Sequence, residues 1–207
     1  MGRIAGVAPE ETRRHLLETA AAVFARQGYD GASISQITTE AGLSSGSIYA
    51  HYSSKAELFV ATLRAHAERG FERLMGGSTR DDIASFLTAR GALLDRRTGR
   101  EQTLLIEAFV AAKRDPAVAQ FLSESITQRE GLLGGLLAAA QAAGEMDPTI
   151  SAPAAIRFAL MVALGSVLIG ALDLPPIPHD DWSALIARLV DTMRTTFSEV
   201  PNVKETG

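Results

Sequence analysis

Cysteine is absent from this sequence of 207 residues, and that absence removes several kinds of chemistry together. A chain without thiols has no disulfide scaffold, no thiolate zinc site and no cysteine nucleophile. Small secreted domains usually depend on disulfides, so this composition favours the cytoplasm. The first nine residues contain Arg3 but no long apolar run, and we therefore expect no signal peptide.

Long hydrophobic runs are also missing. The most apolar stretch covers fifteen residues, from Phe158 to Leu172, and is closed by Arg157 and Asp173. A membrane-spanning helix needs roughly 20 residues. A membrane span is therefore the less favoured interpretation of this stretch, and a helix buried in a core or in an interface is the favoured one. We expect no membrane among the partners of this chain.

The chain has little excess charge of either sign, with a net charge of −4. An acidic balance counts against a nucleic-acid-binding protein, whose electrostatic footprint is basic. The first 65 residues are neutral, however, because six cations balance six acids in that segment. The cations are Arg3, Arg13, Arg14, Arg26, Lys55 and Arg64. A neutral segment can still contact phosphates if its cations point in one direction.

The sequence offers only weak signals of an enzyme. The four histidines, His15, His51, His66 and His179, lie far apart without the spacing of metal ligands. Residues 42–46 match the G-x-S-x-G pattern of hydrolase elbows, but such an elbow follows a strand, and helix-capping signals precede it here. We therefore expect no catalytic residue, no metal and no cofactor, and an enzyme is the weakest alternative.

Helix signals fill the sequence, whereas period-two alternation is nowhere long enough to predict a sheet. Two capping boxes, Ser33 with Gln36 and Ser54 with Glu57, open the second and the fourth of the expected helices. The first four helices are expected at 9–28, 33–42, 44–52 and 54–75. Beyond a break at 76–78, longer helices are expected at 81–96, 100–114, 116–143, 151–172 and from 181 onward.

Two features stand out in the second part of the chain. The last helix carries one apolar stripe, which predicts a single buried face. Gly131 and Gly135 have G-x-x-x-G spacing, which outside a membrane indicates close helix packing or a kink. The stripe consists of Trp182, Leu185, Ile186, Leu189, Val190, Met193 and Phe197.

Three short helices joined by a glycine turn have the geometry of a helix-turn-helix. Small Ala41 and flexible Gly42 allow the second and third helices to cross at a steep angle. Ile34, Ile37 and Ile48 can then pack against Val23 and Phe24. The hydroxyl groups on the third helix can contact base edges or phosphates. The residues it would expose are Ser44, Ser45, Ser47, Tyr49, His51 and Tyr52.

The stretch from Ile34 to Leu58 resembles the signature of TetR-type repressors. The residues in register are Ala41, Gly42, Gly46, Tyr49, His51, Tyr52, Ser54, Lys55 and Leu58. The resemblance covers the N-terminal part of the chain and implies an all-α fold. This fold would consist of a three-helix helix-turn-helix DNA-binding domain (1–53), a connecting helix (54–75) and a C-terminal helical ligand-binding and dimerisation domain (76–207).

The resemblance also implies roles for individual residues. Ser45, Gly46, Ser47 and Tyr49 would face the major groove, Tyr49 and His51 would touch phosphates, and Lys55 would hold one. The full expected DNA-binding set is Ser33, Ser44, Ser45, Gly46, Ser47, Tyr49, His51, Tyr52 and Lys55. Either tyrosine could support the core instead, and we assign the DNA contact to Tyr49 first. His51 and Lys55 could also be ordinary solvated side chains.

Two positions depart from the family pattern. Thr38 stands where alanine is frequent, which we interpret as a harmless surface change. Ser45 stands where a lysine or arginine is frequent, so one phosphate contact would be missing. Together with the neutral charge, this departure predicts weak non-specific binding with a shallow salt dependence.

The C-terminal helices are expected to enclose an apolar pocket for a small-molecule effector. The candidate lining residues, which would serve equally well as plain core, are Phe86, Arg90, Glu107, Phe109, Phe158 and Met161. The family dimerises through its last two long helices, which implies a homodimer. The candidate interface residues are Leu164, Leu168, Trp182, Leu185, Ile186, Leu189 and Met193.

These features predict a dimeric transcriptional repressor that binds a near-palindromic operator in double-stranded DNA and is released by a small molecule. The alternative is an all-helical ligand-binding or interaction protein whose helix-turn-helix no longer binds DNA. Ser45 and the acidic net charge are the support for that alternative.

Overall fold

A computed structural model describes residues 9–49, 51–75, 83–96, 99–172 and 174–194, without the side chains of 9, 45, 47, 70–75 and 96. Within these ranges the fold is all-α, and the extended structure consists of one isolated bridge between Met146 and Arg194. The helices are α1 (Pro9–Gly31), α2 (Ile34–Glu40), α3 (Ser45–Tyr49), α4 (Lys55–Met75), α5 (Ile83–Ala92), α6 (Arg100–Ala112), α7 (Pro116–Ala142), α8 (Ala152–Ile169) and α9 (His179–Asp191). A 3-10 turn, Leu94–Arg96, follows α5.

Glycine and serine residues set the boundaries of the first helices. Gly28 has φ +75°, and this left-handed conformation interrupts α1 three residues before its end. Gly42 has φ +66° and forms the turn between α2 and α3. The Ser33 hydroxyl accepts a hydrogen bond from the Gln36 N–H and caps α2. The capping and glycine signals of the sequence therefore lie at real helix ends.

The first hydrophobic core holds α1 to α4 together and continues into α6 and α7. Phe24 and Phe59 form its centre, with ring centroids 4.6 Å apart. Ile37 and Ile48 pack α2 and α3 against it, as the sequence predicts. Thr38 of α2 is 3% exposed, so its interpretation as a surface change is wrong. Leu104, Ala108, Val118 and Phe121 of α6 and α7 belong to the same core. The helix-turn-helix therefore packs directly on the C-terminal helices.

A second hydrophobic core lies between α5, α7, α8 and α9. Phe86, Leu137, Ile156 and Ile186 are among its buried residues. The indole N–H of Trp182 donates to the carbonyl oxygen of Gly91 at 2.9 Å, which fixes α9 on α5. The second core therefore depends on contacts within one chain.

Three of the predicted interface residues lie in this second core. Ile186 is 7% exposed, and Trp182 and Met193 pack against the same cluster. We therefore remove these three residues from the predicted dimer interface, because the face of α9 that carries Trp182 and Ile186 packs on α5 and Met193 joins the same cluster. Phe197 of the predicted stripe lies outside the described residues.

The long helix α8 is only weakly buried, although it is the most apolar helix of the chain. Its length and composition would allow it to cross a membrane, yet 11% of it is buried inside the protein. Val167 is buried and Leu160 packs on the second core, so part of this segment is monomer core. An interface with another molecule and a membrane are the interpretations that remain for its exposed residues.

Candidate nucleic-acid interface

The inner side of α3 is fixed and its outer side is open. Ile48 is 1% exposed and anchors the helix in the first core, whereas the neighbouring Tyr49 is 58% exposed. Ser44, Gly46 and His51 are also exposed around this helix. The side chains of Ser45 and Ser47, two further predicted DNA contacts, lie outside the described residues. The described residues thus place Tyr49, Gly46 and His51 on one accessible edge of the molecule.

Tyr52 does not share that edge. Its ring is 7% exposed and belongs to the first core, and its N–H donates to the Ile48 carbonyl oxygen at 2.8 Å. We therefore remove Tyr52 from the predicted DNA contacts, because a buried ring supports α3 from behind and cannot reach DNA. From the sequence we expect one tyrosine to support the core and assign the DNA contact to Tyr49 first. In the structure Tyr49 points outward and Tyr52 points inward.

Lys55 is occupied by contacts within the chain. Its ammonium donates to the carbonyl oxygens of Tyr29 at 2.8 Å and of Asp30 and Ala32, both at 3.2 Å. It also lies 4.7 Å from the centre of the Tyr29 ring. An ammonium has three N–H donors, and all three are used here. The predicted phosphate contact of Lys55 is therefore replaced by a structural role, in which α4 holds the end of α1.

Two carboxylates make hydrogen bonds in the helix-turn-helix, one at the end of α2 and one in the turn after α3. Glu40 accepts a hydrogen bond from Arg26 of α1 at 2.7 Å, which ties α2 to α1, and another from Gln36 of its own helix at 3.0 Å. Glu57 accepts from the backbone N–H and the hydroxyl of Ser53, at 2.7 and 2.8 Å. These hydrogen bonds hold the pKa values of both carboxyls below their ordinary range. The turn after α3 is thereby held in one conformation.

Comparisons with known proteins agree with this architecture. The model of the family "Bacterial regulatory proteins, tetR family" matches residues 16–62, which include α2, α3 and the start of α4. The transcriptional regulator UidR of Escherichia coli K12 is 24% identical over 156 residues, which are 75% of this chain and 80% of UidR. The transcriptional repressor AcnR of Corynebacterium glutamicum is 38% identical over 69 residues, 33% of this chain and 37% of AcnR.

The N-terminal part of this chain matches the TetR family, and these relatives support the resemblance found in the sequence. The all-α fold predicted from the sequence is confirmed, with an N-terminal helix-turn-helix domain and a C-terminal helical domain. Its relatives are DNA-binding transcriptional regulators. Among solved structures, a transcriptional regulator of Saccharomonospora viridis in complex with choline superimposes with a TM-score of 0.73 at 18% identity, covering 90% of this chain and 99% of that one.

A group of polar contacts joins α1 to α6 and to the start of α7, and sequence reasoning did not find it. The Tyr29 N–H donates to the Glu107 carboxylate at 2.9 Å, and the Tyr29 hydroxyl donates to the Asp115 carboxylate at 2.7 Å. Arg114 pairs with Asp30 at 2.6 Å beside it. Burial, reinforced by the hydrogen bond to Asp115, raises the pKa of the Tyr29 hydroxyl. We call these contacts the Tyr29 clasp.

Among the predicted effector-site residues, Phe86 and Arg90 contact each other on α5, and the others lie on α6 and α8. Glu107 belongs to the Tyr29 clasp, so its predicted role in a ligand pocket is corrected. Phe86 is buried in the second core, with the Arg90 guanidinium 5.7 Å from its ring centre. The other three residues are exposed on α6 and α8: Phe109, Phe158 and Met161. Phe86 is plain core, as the alternative interpretation of the sequence had it, whereas the three exposed residues are not.

The predicted interface residues divide between two surfaces. Leu168 of α8 and Leu185 and Leu189 of α9 are exposed, and Leu164 is partly buried. Trp182, Ile186 and Met193 face the second core, as described above. In the part of the chain that the structure describes, no group of three His, Asp or Glu residues could hold a metal ion.

Proposed function

We propose that this protein is a homodimeric repressor of the TetR type that binds a near-palindromic operator through α3 and is released by a small molecule. The observation that carries the DNA-binding part is the outward face of α3, where Tyr49 and His51 are exposed while Ile48 anchors the helix. A short helix fixed from behind and open in front is the geometry needed to enter a major groove. The contacts proposed on this face are those of Ser44, Ser45, Gly46, Ser47, Tyr49 and His51, with Ser33 at the start of α2.

The homodimer is supported by the apolar face of α8 and α9. Phe158, Met161 and Leu168 are each about 60% exposed on α8, and Leu185 is 50% exposed on α9. Monomeric soluble proteins rarely expose a contiguous apolar patch larger than a few hundred Å². Two copies related by a two-fold axis would cover this face by packing α8 and α9 of each copy into a four-helix arrangement. The dimer would then present one helix-turn-helix domain to each half of a palindrome.

Repression and release rest on relatives and on the layout of the chain. AcnR is named as a repressor, and the S. viridis regulator was solved with choline bound. In this chain α4 starts beside α3 and packs against α6 and α7, so a rearrangement of the C-terminal helices would reach the DNA-binding domain through α4. A ligand that binds one arrangement of the C-terminal helices more tightly would change the fraction of dimers that can bind the operator.

The deciding experiment is the selection of bound sequences from a random DNA pool with wild-type protein, Tyr49→Ala and the control Phe109→Ala. Phe109 is an exposed aromatic residue on α6, away from α3. We expect a palindromic sequence to be enriched by wild type and by Phe109→Ala, and not by Tyr49→Ala. If wild type enriches no sequence even at low salt, the alternative of a binding protein with a degenerate helix-turn-helix replaces this proposal.

The state of assembly and the direction of regulation need separate readouts. Sedimentation of the wild-type protein should give twice the chain mass, and flotation with phospholipid vesicles should leave it in the soluble fraction. A reporter driven by the selected operator should be more active without the protein than with it. Membrane binding, or a reporter that needs the protein for activity, would contradict the corresponding part of the proposal.

A further inference from the structure

Arg129 of α7 occupies a position that the helix otherwise reserves for apolar side chains. Leu122, Ile126, Arg129 and Leu133 follow one another at spacings of four, three and four residues, which places them on one face of the helix. Leu122 belongs to the first core and Leu133 to the second. Arg129 is therefore on the inward face, between the two cores, and its side chain is partly buried.

The two cores are well separated along α7. Leu133 lies eleven positions after Leu122, which corresponds to about 16 Å along a helix axis. Among residues whose side chains the structure describes, neither hydrophobic core includes Ile126 or Arg129. Helices α4, α6 and α8 all pack against α7. Helix α7, which carries Arg129, thus packs among other helices of the same domain.

The guanidinium of Arg129 lacks an anionic partner among the described residues, which supply it with neither a hydrogen bond nor an ion pair. Its sequence neighbour Glu130 is engaged by Arg157 of α8. More exposed arginines do find carboxylates, as Arg26 does with Glu40 and Arg114 with Asp30. Burial alone lowers the pKa of the Arg129 guanidinium.

Other buried polar side chains of this protein are satisfied. The Gln102 amide donates to the Val167 carbonyl oxygen at 2.6 Å, and the hydroxyls of Thr38 and Thr62 donate to backbone carbonyls of their own helices at 2.6 and 2.8 Å. A partly desolvated cation without a partner costs free energy that the fold does not recover from other contacts. A bound anion that pairs with the Arg129 guanidinium would account for an unpaired cation at this position.

We propose that Arg129 anchors an effector site between the two cores, and that the ligand is an organic monoanion, a carboxylate carried on an apolar body. A planar guanidinium binds a carboxylate through two parallel hydrogen bonds. One described cation, flanked on its helix face by Ile126 and Leu133, matches a single negative charge better than a doubly charged phosphate, whose second charge would stay unpaired. This proposal rests on the proposed function only in assuming that a small molecule regulates the protein.

The test measures thermal unfolding of the full chain with straight-chain carboxylates from butanoate to dodecanoate and with the matching primary amides. We expect at least one carboxylate to raise the melting temperature of wild type while its amide does not. In Arg129→Gln the affinity for that carboxylate should fall about ten- to a hundredfold. Arg129→Lys should retain part of the response, because it keeps the charge and loses the bidentate geometry.

The ligand-free proteins provide a second readout with the opposite sign. Without ligand, Arg129→Met should melt at a higher temperature than wild type, because an unpaired desolvated charge is replaced by an apolar side chain of similar length. A lower melting temperature would show that the guanidinium has a structural role and would overturn the proposal. The same holds if no carboxylate of the series stabilises wild type.

Arg188→Gln is the matched control. Arg188 is an exposed arginine of α9 that lines a groove between α5 and α9, so it tests whether any surface arginine could give the same response. We expect Arg188→Gln to respond to the carboxylate like wild type. Loss of the response in Arg188→Gln, but not in Arg129→Gln, would move the anion to that groove and overturn the proposal. Operator binding is measured separately, so failure at Arg129 leaves the DNA-binding proposal standing.

Discussion

The hydroxyl of Tyr29 donates a hydrogen bond of 2.7 Å to the carboxylate of Asp115, 86 residues further along the chain. Tyr29 lies near the C-terminal end of α1 in the DNA-binding domain, and Asp115 is the N-cap of α7 in the C-terminal domain. A single side chain thus connects the two domains at a point where the Tyr29 N–H is also bound by Glu107. The position of the DNA-binding domain is therefore set by its contacts with α6 and α7 as well as by α4.

We predict that Tyr29→Phe lowers the free energy of unfolding by about 1–2 kcal/mol, because a partly buried carboxylate loses a hydrogen bond while the ring still packs. Urea denaturation followed by circular dichroism measures this change. Tyr49→Phe is the control, since the Tyr49 ring is exposed and its hydroxyl has no described partner in the fold. Equal effects of the two substitutions would contradict the role assigned to the Tyr29 clasp.

Lys55→Gln should lower the free energy of unfolding by about 1–3 kcal/mol, because three carbonyl oxygens at the end of α1 lose their charged donor. The slope of operator affinity against salt concentration should stay unchanged. A lysine that neutralises a phosphate would instead lower that slope by about one unit. Operator titrations at several salt concentrations separate the two roles, and a shallower slope in Lys55→Gln would restore the phosphate contact.

Two neighbouring residues of α9 separate assembly from stability. Ile186 is 7% exposed in the second core, whereas Leu185 is 50% exposed beside it. Ile186→Ala should lower the free energy of unfolding by about 2–4 kcal/mol through the cavity that it leaves. Leu185→Glu should leave the fold intact and shift the dimer toward monomer, as seen by sedimentation over a range of concentrations. A Leu185→Glu protein that remains fully dimeric would place the interface elsewhere.

The stability of the turn before α4 should depend on acid pH. Hydrogen bonds from Ser53 hold the pKa of Glu57 below its ordinary value of 4.5. Such a carboxylate stabilises the folded state above its unfolded pKa, and the stabilisation disappears as the pH falls through the folded pKa. Glu57→Gln should therefore be less stable than wild type at neutral pH, and the difference should disappear as the pH falls through the folded pKa of Glu57. Glu68→Gln, another exposed carboxylate of α4, is the control, and denaturation at each pH is the measurement.

The parts of this structure that could be predicted from the sequence are those with local causes. Ser33 and Ser54 cap the helices that follow them, and Gly42 forms the turn between α2 and α3, because capping and turn geometry involve only a few neighbouring residues. The helix-turn-helix motif is similarly local. This explains why both the fold class and the family could be predicted.

The side-chain roles that were wrong depend on distant partners. Lys55 reaches carbonyl oxygens more than twenty residues away, and Glu107 reaches Tyr29 across 78 residues. The apolar stripe of α9 has two neighbouring faces, and periodicity alone does not show that α5 covers Ile186 and leaves Leu185 free. Such assignments need the tertiary arrangement, which the pattern of one helix does not contain.

The first core, which runs from Phe24 in α1 to Phe121 in α7, has a consequence for engineering chimeric regulators. A DNA-binding head moved onto another effector domain would carry the surface of α1 but leave Leu104 and Ala108 of α6 behind. The graft would expose apolar side chains on both fragments unless the recipient offered matching residues. Exchange of operator specificity in this protein is therefore simpler by replacing the outward residues of α3 than by swapping the whole head.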